Sequence, residues 1–181
     1  MNCIIFCKIF FFQHSSIFAC EYMSFQLHGA LIIRRCAQSG SIKNIIDDTK
    51  PKMNFMKKNY SNTNKKTFDL NTIRSVGYEI LTTLKFLHSK NLAHGNLHSG
   101  NVFLGAGNSL PFLSEIENYV MGKSSFWRPY IVQLKGPSSS AEAADVYSLG
   151  LLMYEMATGV TLQNPTCDNA LPNQLPDMLS K

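Results

Sequence analysis

Between positions 94 and 102 the chain reads His94-Gly95-Asn96-Leu97-His98-Ser99-Gly100-Asn101-Val102, which crowds imidazoles and amides into one short stretch. Imidazoles are the side chains that exchange a proton near neutral pH or ligate a metal. His94 and His98 stand four apart, a spacing that can hold zinc from one face of a helix. Gly95 and Gly100 make the stretch a loop instead, and no third ligand is near in sequence. His94 is therefore expected to pack against the core and steady the loop, and no metal site is expected. Asn96 is no base, because an amide takes up no proton at neutral pH, although it still accepts a hydrogen bond. Downstream stand Glu115, Glu117 and Asp145, the last reading as the N-cap of an apolar helix. The five cysteines (Cys3, Cys7, Cys20, Cys36 and Cys167) are odd in number and form no CxxC pair. That argues against a disulfide framework or zinc ribbon and suits a reducing compartment.

These residues need elements to position them. A chain of 181 residues, 45% hydrophobic and 16% charged, is long and apolar enough for one folded domain. Ile17-Phe18-Ala19-Cys20 and Ala30-Leu31-Ile32-Ile33 read as two short strands around a turn. A short helix is predicted over 42–47, with Ser41 as its N-cap. Residues 48–67, polar and carrying Pro51, read as a long connecting loop. Ile73, Val76, Ile80, Leu84 and Leu87 fall on one face of a helix over 70–89, with Asp69 to cap it. Gly77 inside it is a cost unless another backbone packs there. Residues 92–118 read as a hairpin flanked by loops. A second helix is predicted over 143–158, with Val146, Leu149, Met153 and Met156 on one face and Gly159 as its stop. Strands and helices are segregated, so the fold class is α+β.

The order of these elements gives the loop a family. A long amphipathic helix, then His94 to Asn101, then a hairpin resembles the protein-kinase catalytic loop H-R-D-L-x-x-x-N and its surroundings. Asp145-Val-Tyr-Ser-Leu-Gly followed by Leu-Leu-Met-Tyr-Glu-Met-Ala-Thr-Gly resembles a later kinase helix. Leu-Ile-Ile-Arg-Arg, Ser-Gly-Ser-Ile-Lys, Leu-Lys-Phe-Leu-His, Leu-His-Ser-Gly-Asn-Val and Ile-Glu-Asn-Tyr-Val-Met-Gly together resemble the PX-domain-containing kinase-like proteins and the related slowpoke-channel-binding proteins. The resemblance implies a protein-kinase-like domain over 28–160. That domain would be mostly the helical C-lobe, with the last strands and hinge of the N-lobe. An apolar segment and strand remnant would precede it over 1–27, and an irregular tail would follow over 161–181.

The resemblance also implies roles, several of them degraded. Asn96 stands where a kinase has the Asp that accepts the substrate proton. Gly95 replaces the Arg that pairs with a phosphorylated activation segment. His98 stands at a Lys position and is expected to be only partly charged at pH 7. Asn101 keeps a Mg²⁺-ligand position, and Glu115 aligns with the metal-binding Asp, so the two are the candidate Mg-ATP residues. With a hairpin one residue shorter, Ser114 would take that place. With Glu115 in the Asp place, Glu117 replaces the Gly and removes its backbone freedom. Asp145 is expected to hydrogen-bond the backbone of the His94 loop. Phe126, Trp127 and Tyr130 read as buried in an activation-like segment rather than as a docking patch. Lys135-Gly-Pro-Ser-Ser-Ser fills the place of A-P-E. No Gly-rich phosphate loop and no V-A-I-K lysine precede these motifs, so the domain reads as incomplete.

The expectation is a catalytically impaired kinase-like scaffold that modulates a membrane ion channel (slowpoke-type) or an ion pump by binding it. Two readings stand beside it: a divergent Ser/Thr kinase with weak Mg-ATP-dependent activity, and a truncated fragment with no independent function. The net charge of +5 and the lysines of 50–66 read as a solvated face, ahead of contact with an acidic partner or an anionic membrane surface. No nucleic-acid motif is present. The opening MNCIIFCKIFFF is shorter than the roughly 20 residues that span a bilayer. It also lacks the basic start of a signal peptide. A cytoplasmic protein with at most peripheral membrane contact is expected.

Overall fold

Apolar residues at helical spacing have to be covered, and the fold is organised around the helix that carries most of them. In the computed structural model, residues 14–18, 21–26, 29–34, 37, 40–49, 65–105, 110–120 and 140–160 are described. In chain order the elements are β1 (Tyr22–Gln26), β2 (Gly29–Ile33), α1 (Ile42–Ile46), α2 (Leu70–His88), β3 (Val102–Leu104), β4 (Pro111–Leu113), α3 (Glu117–Val120) and α4 (Ala141–Thr158). Mixed strands and helices of this kind match the α+β class expected from sequence.

Helix α2 buries Ile73, Val76, Ile80, Leu84 and Leu87, the face its spacing predicts. Asp69 caps it by accepting the Thr72 N–H. Ser41 caps α1 in a reciprocal capping box with Asn44. Gly159 ends α4 at a left-handed φ of 72°, a conformation that glycine takes without penalty. One continuous core joins α2 to Leu149, Leu152 and Met156 of α4. It extends to Val102, Leu104 and Leu113 of the β3–β4 hairpin and to Ile42 and Ile46 of α1.

The two strand pairs differ in how they meet that core. Strands β3 and β4 pair antiparallel with Val102 opposite Leu113, and both residues are buried. Strands β1 and β2 also pair antiparallel, Tyr22 opposite Ile33. Tyr22, Leu31 and Ile33 remain exposed.

Four expectations need correction. The strand that pairs with 29–33 lies at 22–26 rather than beginning at Ile17, and Ala19 and Cys20 of the expected strand lie outside the described residues. Ile17 instead bridges to Leu113 in parallel, the Phe18 N–H donating to the Leu113 carbonyl at 2.7 Å and the Leu113 N–H to Ser16 at 2.8 Å. An apolar tetrapeptide carries no local signal of its partner, and here the hairpin edge captured it. Helix α4 begins at Ala141, capped by Ser140. Its buried face runs through Asp145, Ser148, Leu149, Leu152, Glu155 and Met156, while Val146 is exposed. Leu149, Met153 and Met156 of the expected face do meet the core, so only Val146 was misplaced on a helix that apolar residues nearly surround. Gly77 meets a side chain rather than a backbone: a Cβ there would lie 3.2 Å from the sulfur and methyl of Met153. The remaining expectations for 1–13, 50–64, 126–138 and 161–181 lie outside the described residues.

Candidate functional site

The site is the loop between α2 and β3, held by one carboxylate at each end. Asp145 does not cap α4; it lies inside the first turns of that helix and is buried. One of its oxygens accepts the His94 N–H at 2.7 Å, the other accepts the Gly95 N–H at 2.9 Å. His88, on the last turn of α2, lies 3.0 Å from the same carboxylate through Nε2. The chain thus reverses onto α4 with its backbone donors satisfied by a buried anion, a charge-assisted arrangement stronger than a neutral hydrogen bond.

Gly95 follows at φ 70°, and a Cβ there would lie 2.8 Å from Cδ2 of Tyr119. The site therefore requires glycine twice over, for its left-handed backbone and for Tyr119. An arginine at this position would collide with both constraints.

His94 is fully buried, and its Nδ1 accepts the Asn96 N–H at 3.2 Å. Burial pushes its pKa below the usual histidine value, against the charges of Asp145 and Glu115. His98 accepts the Gly100 N–H through Nδ1 at 3.0 Å. Burial, with His94 beside it, lowers its pKa to about 4, against the charge of Glu155. The expected partial charge at pH 7 is thus corrected: a half-buried imidazole whose pKa is lowered this far is neutral there. Among the described residues no group of three His, Cys, Asp or Glu could hold a metal ion.

At the far end of the loop Glu115 meets Asn96 and Asn101. One carboxylate oxygen accepts from Asn96 Nδ2 at 2.8 Å, from Asn118 Nδ2 at 3.0 Å and from Asn101 Nδ2 at 3.2 Å. Asn101 Nδ2 also donates to the Asn96 carbonyl at 2.9 Å. The opposite amide orientation would face acceptor against acceptor, so the nitrogens point inward. Ser114 turns away, its hydroxyl donating to the Asn101 carbonyl at 3.1 Å. Glu115 itself has a φ of 69°, a left-handed conformation that non-glycine residues adopt at a cost.

Mg²⁺ takes oxygen ligands in near-octahedral array. This cluster offers one carboxylate and presents amide nitrogens around it. As arranged, the residues do not fit a divalent cation.

Sequence reading missed His88, Asn118 and Tyr119. It also missed two ion pairs that brace the loop's surroundings. Lys43 of α1 reaches the buried Glu155 of α4 at 2.7 Å. Arg34, just after β2, pairs with Glu117 of α3. Asn118 and Glu115 are three apart, a local signal open to sequence reading. The other contacts join residues far apart in the chain. Among the described residues no helix is long and apolar enough to cross a membrane.

No family model matches the chain. Against curated proteins it is 37% identical over 147 residues to the PX domain-containing protein kinase-like protein of Mus musculus, covering 81% of this chain and 25% of that protein. It is 30% identical over 139 residues to the "Probable inactive serine/threonine-protein kinase slob2" of Dictyostelium discoideum, covering 75% of this chain and 22% of that protein. It is 25% identical over 105 residues to the serine/threonine-protein kinase A-Raf of Mus musculus, covering 51% of this chain and 17% of that protein. The chain spans about a quarter of the length of the first of these relatives. A helix, an Asp145-anchored loop and a hairpin in kinase order, together with these matches, place the chain in the protein-kinase-like family of the PX domain-containing kinase-like proteins and the slob proteins.

Proposed function

We propose that this chain acts as a catalytically impaired protein-kinase-like scaffold, working by binding rather than by phosphoryl transfer. The observation that carries this reading is the Asn96–Glu115 contact at 2.8 Å. The position that would hold a general base is an amide, and that amide donates to the carboxylate aligned with the metal ligand. General-base help is worth about 10²–10⁴ in rate, and an amide supplies none. In this reading β1 and β2 are the strands that lead to a kinase hinge, and α1 to α4 belong to the helical lobe. A relative named as an inactive kinase supports the same direction.

The partner we propose is a membrane ion channel of the slowpoke type, or an ion pump, met from the cytoplasmic side. That choice rests on the resemblance to the slowpoke-channel-binding proteins. Co-expression of the full chain with such a channel is expected to shift its current and to bring both down together in precipitation. The catalytic half is tested by phosphate transfer and by thermal unfolding with Mg-ATP. A ligand at 100-fold saturation would add about 2.7 kcal/mol. No transfer and no shift are expected. Transfer that disappears when Asn101 or Glu115 is replaced would overturn the reading.

A further inference from the structure

A partly buried carboxylate needs a positive partner or converging hydrogen-bond donors. Among the described residues no lysine, arginine or histidine forms an ion pair with Glu115, whereas Lys43 pairs with Glu155 and Arg34 with Glu117. We propose that Asn96, Asn101 and Asn118 act together as an internal counter-cation for Glu115, closing this site to a divalent ion, with Asn118 as the donor that completes it. The proposal rests on the scaffold reading above and gives that reading its physical device.

The argument is one of polarity and geometry. Three amide N–H groups converge on a single carboxylate oxygen at 2.8, 3.0 and 3.2 Å. A divalent ion would need those amides to present oxygen instead. Turning Asn101 would also break its bond to the Asn96 carbonyl. Only one formal negative charge would then face two positive ones.

Asn118 is the member that makes the arrangement rigid. Its backbone N–H donates to the Glu115 carbonyl at 3.1 Å, while its side chain reaches the Glu115 carboxylate. Asn118 thus clamps Glu115 at both ends and holds it in its left-handed φ of 69°. The Arg34–Glu117 pair ties the same short helix to the segment after β2.

The test uses the full chain and Mn²⁺ alone as the probe, without nucleotide. Binding is read by the electron paramagnetic resonance of free Mn²⁺ and stability by the thermal midpoint in EDTA and in millimolar Mn²⁺. The wild type is expected to bind no Mn²⁺ below millimolar and to melt at the same temperature in both. Asn118→Asp sets a second carboxylate against Glu115. It should melt lower in EDTA, recover in Mn²⁺ and bind that ion at least about tenfold more tightly than the wild type, since added ligand charge tightens such sites. Asn118→Leu removes the donor without adding charge, so its lowered midpoint should not recover. Sub-millimolar Mn²⁺ binding by the wild type would overturn the proposal, as would an Asn118→Asp protein indifferent to Mn²⁺. Should Asn118→Asp fail to fold, the wild-type titration decides alone. Mn²⁺ binding without phosphate transfer would end the amide device and leave the scaffold reading standing. Transfer lost on replacing Asn101 would end both.

Discussion

Asp145 and Glu115 grip the same loop from opposite ends, and they do it through different parts of the chain. Asp145 is fixed on a long helix, is buried, and accepts backbone N–H groups of His94 and Gly95. Those donors are backbone groups, so this contact does not depend on the polarity or charge of the loop's side chains. Glu115 sits on an irregular turn at a positive φ, and among the described residues its carboxylate accepts from side-chain amides. That contact exists because Asn96, Asn101 and Asn118 are amides, and one substitution changes its chemistry. The difference separates a contact made to the backbone from one that depends on side-chain identity.

The comparison breaks most readily at Asp145. Asp145→Ala leaves two loop N–H groups and His88 without their buried anion and should cost about 3–5 kcal/mol, read by urea unfolding. A cost no larger than that of Glu115→Gln would dissolve the distinction. Next comes Gly95→Ala, which sets a Cβ 2.8 Å from Tyr119 at φ 70°. About 1–3 kcal/mol should be lost. Combining it with Tyr119→Ala should cost less than the two single changes added together, since the crowding is shared.

The histidines sharpen the comparison through pH. Burial lowers the pKa of both His94 and His98, the latter to about 4, from an ordinary value of 6.5. The unfolded chain therefore binds more protons than the folded one below the ordinary value. This contribution is fully present above 6.5 and is lost as pH falls, through about 4 for His98, by roughly 1 kcal/mol per pH unit for that histidine, with His94 acting in the same direction. Urea unfolding at pH 7 and pH 5 should show that loss, with a shallower slope in His98→Gln. The smallest effect is expected at Glu115→Gln, which keeps an acceptor for the amides and loses its charge, about 1 kcal/mol.

Much of the frame was legible because its causes are local. Ser41 and Asp69 announce helix starts through their own side chains, and the apolar spacing of α2 repeats often enough to fix one face. The loop was legible from the order of His94, Asn96, Asn101 and Asp145 along the chain, which resembles a kinase. Illegible were features whose causes are distant. Ile17 found Leu113 across the fold rather than a partner beside it. Helix α4 is apolar on most sides, so only its neighbours could select the face that buries Glu155 and leaves Val146 in water. Gly95 could be seen to lack an arginine, but Tyr119 as the reason required the fold.

By itself, then, the sequence determined where α1 and α2 begin, where α4 stops and which loop carries the amides, because capping, periodicity and side-chain chemistry act within a few residues. The tertiary structure alone decided that Glu115 rather than Ser114 meets those amides, that Asn118 joins them, and that His98 is neutral. Convergence of donors on one oxygen, and the desolvation of an imidazole, depend on which segments pack together and not on their order.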